Sequence, residues 1–313
     1  MKATIRSYDA SVDSDAAFEL WGRSIGRSWP VEREDFDAIV HEGFVALLDD
    51  QIAGVVAFAR LDSVASLQLL LVDAGVRRRG IGSRLIETTL AALATDGVTE
   101  VRLASTPGRY FWPGLPPELA DAQSFFERWG WKFGDPCWDL VRSLTDYETP
   151  NDVERPAGIT IRWAAGDERQ RLLDFERTNF PSWLSDFASD RSLERTIVAV
   201  DESRSIVGSL LAEDARHPPL WRHLLGADSG SIGSVGVEER MRERRIGTAL
   251  VAYACEQLRD RGVVNCHIGW TPLLSFYGRL GFRPWRRFEM ATRIMPSQPR
   301  LLRYDPRDPS PQA

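Results

Sequence analysis

The stretch VRRRGIGSRL, Val76–Leu85, sets three arginines before a Gly-x-Gly and then opens an apolar run with helical spacing. Nearly the same words return as MRERRIGTAL, Met241–Leu250, with Arg245 standing where the first copy has Gly80. Gly82 and Gly247 are 165 residues apart, and that offset also pairs Val72 with Val237, Arg77 with Arg242, Ile81 with Ile246, Leu85 with Leu250, Leu93 with Leu258 and Gly97 with Gly262. A register held this long marks an internal repeat, so one supersecondary unit has been used twice.

Working outward, the copies begin alike, with TIRSYDA at Thr4 and TIRWAAG at Thr160, and end alike, with SFFERWGW (Ser124–Trp131) and SFYGRLGF (Ser275–Phe282). The offset changes along the chain and so locates the insertions. The first copy is longer around PGRYFWPGLPPELADA and the second around DARHPPLWRHLLGADSG. Two domains are expected, residues 1–146 and 157–296, separated by the polar, proline-containing TDYETPNDVERPAG. Residues 297–313, rich in proline and charge, read as a loosely packed or disordered tail.

Within each copy a short strand (Thr4–Ser7; Ile159–Trp163) precedes a helical region, then a hairpin turning at Asp49-Asp50 in the first copy. An apolar strand follows (SLQLLLV; GSIGSVGV) and feeds the arginine loop. Ile81, Leu85, Ile86, Leu90 and Leu93 then share one helical face. A strand, a short helix and a last strand close each copy. The order β-α-β-β-β-α-β-α-β predicts an α/β fold, a mixed sheet flanked by helices, in each domain.

The loop joins a strand end to a helix start, where backbone N–H groups lack helical partners and the helix dipole adds positive charge. Such a site suits phosphate. Gly80 and Gly82 allow close approach of the backbone, and Arg77, Arg78 and Arg79 add forked donors. Neither the P-loop nor the dinucleotide fingerprint is present.

Composition bounds the rest. With 43% hydrophobic and 27% charged residues the chain reads as globular, and its net charge of −6 argues against a nucleic-acid partner. Cys137, Cys255 and Cys266 have neither disulfide-framework nor zinc-ligand spacing, and the four histidines show no ligand spacing, so no metal is expected. No run of 18 apolar residues and no signal-peptide core stand in the sequence, so neither a membrane nor export is expected and the cytoplasm is the default.

VDAGVRRRGIGSRL resembles the acetyl-CoA loop, [QR]-x-x-G-x-[GA], of the GCN5-related N-acetyltransferases (GNAT), with Arg77, Gly80 and Gly82 in the motif positions. SFYGRLGF resembles the late helix-and-strand signature of that family, whose tyrosine serves as general acid. The order of elements agrees in both copies, and the tandem layout is similar to that of mycothiol synthases. The resemblance implies two GNAT domains, each with a mostly antiparallel mixed sheet, that use acetyl-CoA as cosubstrate and acetylate a primary amine of a small molecule. YFWPGLP and IGWTPLLSFYGRLGF further resemble tandem modules that accompany hexosaminidases, which implies an amino-sugar acceptor.

It implies as cofactor-binding residues Leu71, Val72, Arg77, Arg78, Arg79, Gly80, Ile81, Gly82 and Ser83 in the first copy. In the second they are Val235, Val237, Arg242, Arg244, Arg245, Gly247 and Thr248, with Gly236 easing approach to the thioester. Tyr277 is the expected acid and Glu289 the expected acceptor-side carboxylate, with Asp139 its counterpart; a surface role competes for both carboxylates. The first copy has Phe126 where the second has Tyr277, and Tyr110 in the insertion is a candidate substitute. Arg245 either blocks the diphosphate or binds it. Because each copy lacks one element, a binding-only sensor or scaffold is the competing reading.

Overall fold

The computed structural model describes residues 3–104, 109–189 and 192–296. The tail 297–313 and the first residues of the first-copy insertion, Pro107 and Gly108, lie outside the described residues. In the first half the elements are β1 (Thr4–Ser7), α1 (Ala10–Trp21), α2 (Arg33–Ile39), β2 (Gly43–Leu48), β3 (Gln51–Leu61), β4 (Val64–Val72), α3 (Ile81–Thr95), β5 (Glu100–Leu103), α4 (Ala120–Arg128), β6 (Lys132–Phe133) and β7 (Cys137–Ser143). The second half repeats them as β8 (Ile159–Trp163), α5 (Arg169–Asn179), α6 (Leu184–Ala188), β9 (Thr196–Asp201), β10 (Ile206–Glu213), α7 (Arg222–Leu225), β11 (Ser229–Val237), α8 (Ile246–Asp260), β12 (Asn265–Thr271), α9 (Leu274–Gly278), β13 (Arg283–Phe288) and β14 (Ala291–Ile294).

Local chemistry explains the elements that position the site. Asp49 and Asp50 both hold positive φ, 50° and 61°, the mirror-image turn whose twist matches a two-residue hairpin. Leu48 pairs with Gln51 across it. On α3 the five residues of the expected stripe are all buried. Each half thus forms a sheet of seven strands, mixed and mostly antiparallel, with helices on both faces.

The strand order departs from two contiguous segments in one respect. The first sheet runs β1-β2-β3-β4-β5-β14-β6 and the second β13-β7-β12-β11-β10-β9-β8. Each copy ends in two strands rather than one, and the second of them crosses to the other sheet. Thr292 pairs with Arg102 on β5 and with Lys132 on β6, while Leu140 pairs with Ile268 on β12 and Pro284 on β13. A repeat offers two slots of one shape, so either copy's strand satisfies either sheet. Pro136 biases Asp135 toward extended backbone, and the chain runs on from β6 instead of doubling back.

Two cores lie under α3 and α8, and each includes residues supplied by the crossing strand: Ala291 and Met295 in the first, Leu140 and Leu144 in the second. A third core fills the space between the halves. There Trp29 packs against Trp112 and Trp221, with ring centroids 5.3 and 4.8 Å away. Polar contacts border this aromatic core: Arg222 lies 3.1 Å from Asp35 and His223 Nε2 2.6 Å from Glu32. The His223–Glu32 contact is exposed and the Arg222–Asp35 pair partly buried, so aromatic burial and the exchanged strands do most to hold the halves together.

Candidate active site and family

In each sheet a β-bulge bends one strand away from its parallel neighbour. The register of β3 with β4 slips between Ala57 and Phe58, which leaves Gln68 as the extra residue. Pairing of β4 with β5 stops at Leu67↔Leu103, although β4 continues to Val72. The second sheet repeats this: the slip lies between Ser209 and Leu211, and pairing of β11 with β12 stops at Ser231↔His267. Each half therefore has a V-shaped opening that leads from the middle of the sheet to the arginine loop.

In the first half the opening is a cleft of about 790 Å³. Its lining includes Leu71, Val72, Arg77, Arg78, Gly80, Ile81, Gly82 and Ser83, with Phe125 and Phe126 opposite. Of the first-copy residues expected to hold the donor, Arg79 alone is not part of this wall and lies exposed at the loop tip. Gln68 also lines the cleft, buried, with its side-chain carbonyl oxygen unpartnered.

The two loops share one backbone conformation. Arg78 and Gly80 hold φ of 64° and 79°, and their counterparts Glu243 and Arg245 hold 67° and 59°. The loop N–H groups of the second half are thus arranged as in the first, at the cost of a left-handed arginine. A Cβ added at Gly80 meets nothing within 4 Å, so the position is open on the protein side. The Arg245 side chain turns toward the linker, 3.5 Å from the Asp152 carbonyl oxygen, and Arg244 donates to the Ala157 carbonyl oxygen at 2.8 Å. Arg242, like its neighbours, is exposed, while Gly247 and Thr248 open α8.

At the far end, Tyr277 on α9 is buried against Phe276 and Phe282, and burial pushes its hydroxyl up to about 12. Glu289 is not brought to Tyr277. It precedes β14, its side chain pairs with Arg287 at 2.9 Å, and its backbone bridges to Leu115 on the wall of the first-half cleft. Tyr110 does not replace Phe126 in the first cleft either. Its ring packs edge-on against Trp270 of the second half, centroids 5.6 Å apart. Val235 and Val237 flank Gly236 on the splayed end of β11, where the reason for the glycine is packing: a Cβ there would lie 2.4 Å from the Phe180 ring. Phe180 stacks on Trp183 at 4.9 Å and has little room to yield. Gly236→Ala is expected to destabilise the second half by about 1–3 kcal/mol in a denaturant titration.

The acidic face of the second half was mostly missed from sequence. Glu176 on α5 is fully buried, accepts a hydrogen bond from Ser209 and leaves its other oxygen unpartnered. Burial, aided by repulsion from Asp186, raises its carboxyl to about 7 despite that bond. Asp186 accepts from Ser234, the left-handed residue of the bulge, at 3.1 Å, and burial raises it too. Asp139 has come across on β7: its Oδ1 accepts the Trp270 amide at 3.0 Å, and its Oδ2 lies 3.2 Å from His267 Nε2. A helical stripe of Leu172, Phe175 and Glu176 was the available signal for Glu176, an acid on an apolar face.

Known proteins agree with this geometry. Residues 40–133 match the acetyltransferase (GNAT) domain and residues 160–282 the acetyltransferase (GNAT) family. The mycothiol acetyltransferase of Beutenbergia cavernae is 28% identical over 245 residues, 72% of this chain and 75% of that protein. A GCN5-related glucosamine N-acetyltransferase region in a fungal multi-domain GH3 beta-N-acetylglucosaminidase is 28% identical with a TM-score of 0.86; the match covers 93% of this chain but 38% of that one. A tandem GNAT protein from the clavulanic acid biosynthesis pathway shares the fold at 16% identity, with a TM-score of 0.66 over 95% of this chain and 100% of that one. Two splayed sheets, two arginine loops and two family matches in one register make this chain a member of the GNAT acetyltransferase family, with two GNAT domains in tandem.

Proposed function

We propose that the protein transfers an acetyl group from acetyl-CoA to a primary amine of a small molecule, an amino sugar being the favoured class. The observation that carries this reading is the 790 Å³ cleft running from the anion-binding loop to the strand splay. It suits a long donor with a diphosphate at one end and a thioester at the other. The relative that acts on glucosamine supports the acceptor class.

The first half binds acetyl-CoA well through Arg77, Arg78 and Gly80–Ser83, with Leu71 and Val72 beside the thioester arm. The second half, which holds an acetyl-CoA of its own at the loop with Arg242, Arg244, Gly247 and Thr248, performs the transfer. The amine nitrogen attacks the thioester carbon, the C–N bond forms, and the C–S bond breaks. N–H groups freed at the splay near Val235–Val237 face the carbonyl oxygen. Tyr277, protonated at neutral pH, donates to the departing sulfur, and Glu176, near neutrality, takes a proton from the amine side. Glu289, bridged through its backbone to Leu115 and ion-paired with Arg287, stands outside this step. Proximity within one ternary complex supplies much of the rate.

Thiol release from acetyl-CoA, measured over a panel of amino sugars, aminoglycosides and simple primary amines, tests this function. Release with an amino sugar is the expected result. Phe126, which carries no proton to donate, favours a binding-only role for the first half. Bound acetyl-CoA without release from any amine extends that role to the whole chain. Arg245 bears on the second loop. Arg245→Gly keeps the left-handed conformation, removes a Cβ from the nest and is expected to tighten the second-half site several-fold by calorimetry. A fall in affinity there makes Arg245 a phosphate ligand instead.

A further inference from the structure

The strand exchange carries chemistry as well as fold. Asp139 belongs to the first copy by sequence, yet in space it stands in the second sheet, beside His267 at the last paired position before β11 and β12 part. It is 2% exposed and no arginine or lysine hydrogen-bonds to it among the described residues, although Arg286 stands opposite it in the register of β7 with β13. Its Oδ1 is fixed by the Trp270 amide. Tyr110, also from the first copy, feels the charges of both Asp139 and Asp186, so these groups share one neighbourhood. Tyr110 and Trp270 are half-buried and set edge to face.

We propose that Asp139 and Asp186, with Tyr110 and Trp270, form the acceptor subsite of the second half, a pocket built jointly by both copies that takes the protonated amine of a hexosamine-sized molecule. This rests on the acetyltransferase reading and names the residues that select its substrate. Asp139 is buried with no hydrogen-bonded cation among the described residues, and a bound ammonium relieves the cost of holding its charge there. The Tyr110 and Trp270 rings offer the faces on which a sugar ring lies. His267 Nε2 is buried and makes no hydrogen bond, although it lies 3.2 Å from the Asp139 carboxylate.

The test titrates glucosamine and glucose, equal in ring and different in charge, into the full chain saturated with CoA, at neutral pH. Glucosamine is expected to bind at least tenfold more tightly. Asp139→Asn, which keeps the acceptor for the Trp270 amide, is expected to abolish that preference and leave CoA affinity and the melting temperature unchanged. Trp270→Ala is expected to weaken both sugars, which covers the case in which the Asp139 variant fails to fold. Equal binding of the two sugars, no binding of either, or a preference that survives Asp139→Asn overturns the subsite. If the preference is seen and lost as expected but no amine releases CoA, the transfer reading fails and the subsite stands.

Discussion

Tyr277→Phe lowers kcat by about 10²–10⁴-fold, the usual contribution of a positioned general acid, and leaves the Kd for acetyl-CoA nearly intact. The phenyl ring keeps the contacts of Tyr277 with Phe276 and Phe282, so packing and fold persist and only the proton donor is lost. Burial holds the hydroxyl at about 12, so it enters the reaction protonated throughout the neutral range. Steady-state kinetics alongside acetyl-CoA titration separates the two quantities. A wild-type rate in Tyr277→Phe together with a collapse in Tyr110→Phe moves the donor to Tyr110, whose ring packs on Trp270 of the second half.

Gly80→Glu weakens acetyl-CoA binding at the first-half loop by more than tenfold, at least about 1.4 kcal/mol. Gly80 holds φ of 79°, a conformation that costs a residue with a Cβ about 1–2 kcal/mol. The substitution also sets a carboxylate where the diphosphate is expected. A Cβ there meets no protein atom, so the variant folds and the loss is one of binding. Gly80→Asn, which tolerates the left-handed region and adds no charge, is the milder companion. Calorimetry that finds unchanged affinity and stoichiometry in Gly80→Glu removes the loop from the donor site.

Much of the fold was legible because periodicity is local. The stripe from Ile81 to Leu93, the Asp49-Asp50 turn and the doubled loop each occupy a few consecutive residues, and each stands where the sequence puts it. The strand exchange was not legible. Either terminal strand carries a pattern that fits either slot, and the choice is made by the path of the short connections after β6 and β13. That one global fact moved Asp139 away from its own copy and tied Glu289 to the first-half wall. The motif lined up Tyr277 with Phe126 correctly in register, but it could not say that Tyr110 would turn to face Trp270. Gly236 carries the same lesson on a smaller scale: its neighbour Phe180 lies more than 50 residues earlier in the chain, and the contact exists only once α5 has docked.

The exchanged strands also fix when each half can finish folding. A chain leaving the ribosome in order presents β1 to β6 early, yet the first sheet keeps an open slot between β5 and β6 until Ala291–Ile294 emerges. Until then two strand edges stand unpaired, the kind of surface that invites pairing with another chain. The second sheet has the opposite history, because β7 is already made and waiting when β12 arrives. The first half to be synthesised is therefore the last to be completed, and its closure depends on the final strand of the second.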